Sequence, residues 1–153
     1  AVVDSSGPES VLAALGADVD LAPCLSRNQL DVQRSEETYL RGGSFSTEGM
    51  LDFWDRSIGG AMAAGFDFAR AAGEMTWALR QFPGVEELVG YEARLNRFLP
   101  RYPQVVLCLY ALGSFSGEVL VDVLKTHPKV LIGGMVLDNP YYLEPDEFLA
   151  TRR

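Results

Sequence analysis

Residues 65–79 read GFDFARAAGEMTWAL. The stretch opens in alternation, with Phe66, Phe68 and Arg70 on one side and Asp67, Ala69 and Ala71 on the other, which is the period of a strand. It passes through small residues to a carboxylate and an indole, Glu74 and Trp77. Small residues near the end of a strand admit a neighbouring backbone or a ligand at close range. In open α/β sheets, ligands gather just beyond the carboxyl ends of the strands. A central strand here sets Glu74 at that rim, and the other segments become its surroundings.

On the amino-terminal side, residues 2–4 predict a short strand closed by Ser5-Ser6-Gly7, and Pro8 suits the first turn of a helix that Gly16 ends. Val11, Leu12 and Leu15 are expected on the buried side of that helix. Val19 and Leu21 carry the apolar contacts on through a loop toward a second strand over residues 30–33, and strand, helix, strand at this spacing is a βαβ unit. Residues 35–46 are polar, contain Gly42-Gly43-Ser44, and predict a turn or flap. Thr47 is placed to cap a helix reaching residue 64, and Met50, Leu51, Trp54, Ile58 and Met62 form its core-filling stripe.

On the carboxyl-terminal side, Pro83 is expected to start a helix whose Val85, Leu88, Leu95 and Leu99 share one face. Glu92 falls on that same face, with Asn96 beside it. A polar group inside an apolar stripe must find a partner or stay wet. Residues 105–111, VVLCLYA, are apolar on both faces, as expected of a strand covered by helices on both sides. Residues 115–126 predict a helix capped by Ser114 or Ser116 and buried through Val119, Leu120, Val123 and Leu124. Residues 130–137 predict a last strand, weakened or closely approached at Gly133-Gly134. Asp138-Asn139-Pro140 turns the chain, Tyr141 and Tyr142 follow, and a short acidic helix leads into a linker over residues 144–153. The sum is one α/β domain of three layers, with a largely parallel sheet and helices on both faces.

The totals narrow the function. With 153 residues the chain is one domain with a proper core. Thirteen basic against twenty-one acidic residues give a net charge of −8, which opposes direct nucleic-acid contact and docking on anionic lipid. No apolar run reaches the length of a membrane span and no signal peptide leads the chain, so a cytoplasmic setting is expected. Cys24 and Cys108 stand far apart in apolar surroundings, as two buried thiols or one disulfide. There is no Cys-x-x-Cys pair and His127 is the single histidine, so a zinc site of the usual spacing is not expected. No Gly-x-x-x-x-Gly-Lys-Ser/Thr loop is present either, and the usual apparatus of nucleotide hydrolysis is missing. The opening on a strand suggests that something precedes Ala1.

Several stretches now become familiar. Gly73-Glu74-Met75-Thr76-Trp77-Ala78-Leu79, Tyr91-Glu92-Ala93-Arg94-Leu95-Asn96, Leu107-Cys108-Leu109-Tyr110, Asp122-Val123-Leu124-Lys125-Thr126-His127-Pro128 and Asp138-Asn139-Pro140-Tyr141-Tyr142 occur in order. Together they resemble the MEDS domain, the DcmR-type sensory domain of methanogen and methylotroph regulators. The resemblance implies a RecA-like fold without its P-loop, preceded in the family by a further strand and helix. It implies the input module of a bacterial signalling protein, binding a small organic, hydrocarbon-derived ligand. The output would be a histidine kinase, a sigma-factor regulator or a DNA-binding module.

The expected ligand-binding residues are Glu74, Trp77, Tyr110, Cys108, Glu92, Asn96 and Tyr141, with no catalytic residue, metal or cofactor. Each has a plainer reading. Glu74 could instead pin its strand by an ion pair with Arg70, Arg80 or Arg94. Glu92 could hold Arg94, Arg97 or a backbone amide at a rim. Trp77 suits a core anchor, Cys108 a packed thiol, Tyr110 a buried phenol bonded to backbone, and Tyr141 and Tyr142 surface packing. His127 suits a helix carboxyl-end cap. Three functions compete: a ligand sensor without turnover, a protein-interaction or homodimerisation module, and a degenerate nucleotide-binding domain or hydrolase with Glu74 as base. A cavity beside Glu74 favours the first and an exposed apolar patch the second.

Overall fold

The computed structural model describes residues 1–152, so Arg153, the end of the expected linker, lies outside the described residues. The strands are β1 (Val2–Val3), β2 (Gln33–Arg34), β3 (Ala69–Glu74) and β4 (Gln104–Leu109), all parallel, in the spatial order β2-β1-β3-β4. Around them stand α1 (Pro8–Gly16), α2 (Ala22–Ser26), α3 (Thr47–Ala63), α4 (Leu88–Phe98), α5 (Gly117–Thr126) and α6 (Pro145–Ala150). The organising strand is central, as expected, and ends on Glu74. A 3₁₀ turn, Met75–Leu79, then drops Met75 and Trp77 into the core, where neither is exposed.

The topology decides which face is covered. The connection through α1 steps to one side of β1, whereas those through α3 and α4 step the other way. Parallel crossovers are right-handed, so α1 lies on one face of the sheet and α3 and α4 on the other. The second face holds the core. Ala69, Ala71 and Gly73 of β3 stand level with Gln104, Val106 and Cys108 of β4. Onto them pack Met50, Trp54 and Ile58 from α3, and Leu88, Tyr91 and Leu95 from α4. The Trp54 indole N–H donates to the Tyr91 hydroxyl at 2.8 Å, which joins the two helices through a satisfied buried pair.

The first face is nearly bare. Val105, Leu107 and Leu109, expected to be covered, are 50%, 38% and 45% exposed. The connection from β1 to β2 that passes on that side is short, and its α1 is tied to β2 by an Arg34–Glu9 ion pair at 3.1 Å. For the same reason Val11 and Leu12 are only half-buried and Leu15 is exposed, as is Val19.

Other expectations are corrected. Residues 35–46 are no polar flap: Ser35, Thr38, Tyr39, Leu40 and Phe45 are buried. Tyr39 stacks on Trp77 with ring centroids 4.7 Å apart, and Phe45 lies against the same indole at 4.6 Å. Ser46, not Thr47, caps α3 by accepting from the Gly49 amide, while the Thr47 hydroxyl donates to Glu87 at 2.9 Å. The second strand begins at Gln33 rather than residue 30, α2 fills the expected loop, and α4 begins at Leu88 after a 3₁₀ turn, Val85–Glu87, rather than at Pro83. Residues 130–137 are not one strand but the hairpin β5 (Lys129–Ile132) and β6 (Met135–Asp138). Gly133 and Gly134 adopt φ of +57° and +81°, the left-handed pair that a tight hairpin turn demands. Ser116 caps α5, but its Leu124 is 38% exposed rather than buried. Cys24 and Cys108 are free and half-buried, with no disulfide between them.

Candidate functional site

Successive residues of a strand point to opposite faces, and this divides the expected site in two. Glu74 points to the face opposite Gly73 and Cys108, on the side of Arg70 and Ala72. Its carboxylate accepts from the amides of Asp4 at 2.8 Å and Ser6 at 3.3 Å, and from the hydroxyl of Ser5. Glu74 therefore latches the loop after β1 and makes none of the ion pairs expected of it. Burial works to raise its pKa, but the hydrogen bonds from Ser5, Asp4 and Ser6 outweigh it and hold the carboxyl below its ordinary value of 4.5. Arg80 pairs instead with Asp4 at 2.7 Å and with Glu36, while Ser35 and Thr76 donate to Asp4 at 2.5 and 2.8 Å. The Glu74 region is thus a closed polar network. Trp77 is an anchor in the opposite core, its indole N–H buried without a hydrogen-bond partner.

The second group forms around Glu92, which α4 carries into the core on the face of Leu88 and Leu95. Glu92 is 1% exposed. Its Oε1 accepts from the Tyr110 hydroxyl at 2.5 Å, and its Oε2 lies 3.4 Å from Cys108 Sγ and 3.7 Å from His127 Nε2. Cys108 is the penultimate residue of β4 and Tyr110 follows its end, so the group sits at the carboxyl edge of the sheet, as open α/β sheets favour. The expected partners of Glu92, Arg94 and Arg97, are not there: Arg94 is exposed and Arg97 pairs with Asp146. Among the described residues no lysine or arginine forms an ion pair with Glu92. Burial, reinforced by Glu92, pushes the Cys108 thiol and the Tyr110 phenol well above their ordinary values.

The end of α5 is fixed from outside. The last carbonyls of a helix need partners, and here other segments supply them. Asn96 donates to Thr126 O at 2.6 Å, Asn139 donates to Leu124 O and His127 O at 2.6 and 2.7 Å, and the Leu143 amide donates to Lys125 O at 2.8 Å. Asn96 is therefore a clamp on α5 rather than part of the polar group. His127 caps α5 as expected, with Nδ1 2.8 Å from Val123 O, and also turns Nε2 toward Glu92. Tyr141 is 70% exposed and takes no part. Two clefts of about 620 and 610 Å³ lie elsewhere, one along α4 and α6 and one beside Val2, Phe66 and Arg70; neither is lined by Glu74 or Glu92.

His127 and Tyr39 were the residues least visible in advance. The sole histidine carries no local sign of its partners, because the group is assembled across sequence separations such as the 16 residues between Glu92 and Cys108. Tyr39 was hidden by the polar residues around it.

The fold and the polar group define a parallel α/β domain with a buried acid at the carboxyl edge of its sheet. Residues 1–128 match the model of the MEDS family, the methanogen/methylotroph, DcmR sensory domain, and the chain belongs to that family. It is also 34% identical over 79 residues to the transcriptional repressor DcmR of Methylorubrum extorquens, a match covering 51% of this chain and 30% of the repressor. No solved structure matches the chain. Membership of that family gives the domain a sensory role.

Proposed function

We propose that the domain binds a small organic molecule at the Glu92 group, without turning it over, and passes the bound state to a DNA-binding or kinase module. The observation that carries this reading is the burial of Glu92 among Tyr110, Cys108 and His127. A carboxylate in an apolar core costs desolvation, and open α/β sheets bind ligands at the carboxyl ends of their strands, where this group stands. The similarity to a transcriptional repressor supports a transcriptional output. The engagement of Glu74 by the loop after β1 supports the reading without turnover over one with Glu74 as general base.

The test is thermal unfolding against a panel of one-carbon and short-chain alcohols, amines and halides. A ligand at about 100 times its Kd should raise Tm by about 5–10 °C in a domain of this size. Tyr110→Phe, which keeps the ring and removes only the hydroxyl, should reduce the shift. A panel that leaves Tm unmoved, together with a shift on self-association, favours a second reading, an interaction or dimerisation module. One observation speaks for that alternative: the bare row of Val105, Leu107 and Leu109 on β4.

A further inference from the structure

We propose that Glu92, Cys108 and His127 form a binding site for a zinc-like divalent cation, with a fourth coordination position left open. One carboxylate oxygen, one thiol sulfur and one imidazole nitrogen lie within 4.8 Å of one another. Bonds of about 2.0–2.3 Å in a tetrahedron hold ligand atoms roughly 3.4–3.6 Å apart. Glu92 Oε2 stands 3.4 Å from Cys108 Sγ and 3.7 Å from His127 Nε2, close to that spacing, and Sγ and Nε2 lie within 4.8 Å of each other.

The surroundings orient two of the three donors, His127 and Glu92, as a metal site requires. His127 Nδ1 is engaged by Val123 O at 2.8 Å, which assigns its proton there and leaves the Nε2 lone pair toward the centre. Tyr110 occupies Oε1 of Glu92 at 2.5 Å, while Oε2 accepts from the Cys108 thiol; a cation takes the place of that proton, which is released to solvent as sulfur and Oε2 both bind the metal. Asn96 and Asn139 hold the helix end that carries His127. The core also lacks a positive charge where one is wanted: the 1%-exposed carboxylate of Glu92 has no lysine or arginine partner among the described residues. A buried carboxylate is stable where it is neutralised, paired or coordinated, and a cation here would supply that charge.

Three protein ligands with one open position is the arrangement of sites that receive an exogenous donor, whereas purely structural zinc sites are closed by four. The His127 side chain is 23% exposed, which gives a route from solvent. The inference rests on the sensory reading only for what fills the open position: an alcohol, amine or thiol that donates a lone pair. Cation binding itself stands apart from that reading, and the two fail separately.

The experiment titrates the reduced 153-residue chain with Co²⁺ alone. The expected result is one equivalent bound, a thiolate-to-cobalt charge-transfer band in the near ultraviolet, and displacement of that band by Zn²⁺. Cys108→Ser should abolish the band and Cys24→Ser should leave it. His127→Gln and Glu92→Gln should each weaken binding about 10-fold or more, with far-ultraviolet circular dichroism confirming that each variant folds. The wild-type chain gives a check that needs no variant. It contains one histidine, and the ring-proton resonances of that residue should shift or broaden on Co²⁺ binding. Absence of the band, a band that depends on Cys24 instead of Cys108, or histidine resonances unmoved at saturation would each overturn the assignment.

Discussion

Glu74 lies at the strand end where an acid was expected, but its chemistry is that of a latch. A carboxylate accepting from two amides and a hydroxyl is a stronger acid in the folded chain than in the unfolded one. Because its folded pKa is depressed, its contribution to stability is fully present above the ordinary value of 4.5 and is lost as pH falls through the lower, folded value. Glu74→Gln should therefore cost about 1–2 kcal/mol in urea unfolding at pH 7. It should also flatten the fall in stability below that ordinary value. A variant whose stability still drops as steeply as the wild type in acid would place the titrating group elsewhere. The strand position of Glu74 was legible from the run of alternating and then small residues. Its partners were not, because Asp4, Ser5 and Ser6 belong to the loop after β1, which only the sheet order brings alongside.

At the scale of elements, glycines separate what local sequence states from what packing imposes. Gly84 has a φ of +88°, and a Cβ there would stand 2.1 Å from the Phe45 carbonyl oxygen. Gly60 lies in α3, where a Cβ would meet nothing within 4 Å. Gly84→Ala should destabilise by more than about 1 kcal/mol, whereas Gly60→Ala should stabilise by about 0.4–1 kcal/mol through the unfolded chain. Denaturant midpoints of the two variants check both signs, and equal effects would contradict the packing of Phe45 beneath residues 83–84. The stripe of α3, the buried face of α4 and β3 itself were readable because each repeats at a helix or strand period. The segment holding Tyr39 and Phe45 has no period, so its polar residues disguised two rings of the core. Gly133-Gly134 was noticed as a place of close approach, but only the positive φ angles at both residues make it a reversal.

At the scale of the molecule, the sheet has one solvated face, and its longer edge strand is β4. β4 pairs with β3 alone, and beside its exposed Val105, Leu107 and Leu109 the chain goes on to Leu112, which is 75% exposed. The sequence read this strand correctly as apolar on both faces, yet apolarity does not say whether the cover comes from the same chain. An uncovered edge with unpaired backbone groups is a template for another strand, so the wild-type domain should gain mass with concentration in light scattering. A lysine on an edge strand suppresses such pairing. Val105 is half exposed and contributes little to the core, so Val105→Lys should lower the concentration-dependent mass while changing stability by no more than about 1 kcal/mol. The variant also separates the two surfaces of the domain, because Val105 points away from Cys108 and the Glu92 group. If Val105→Lys abolishes association yet leaves the thermal response to ligand and the cobalt band intact, recognition and relay occupy opposite faces of the same sheet. If it removes all three, the bare face belongs to the recognition site and the division by strand alternation does not hold.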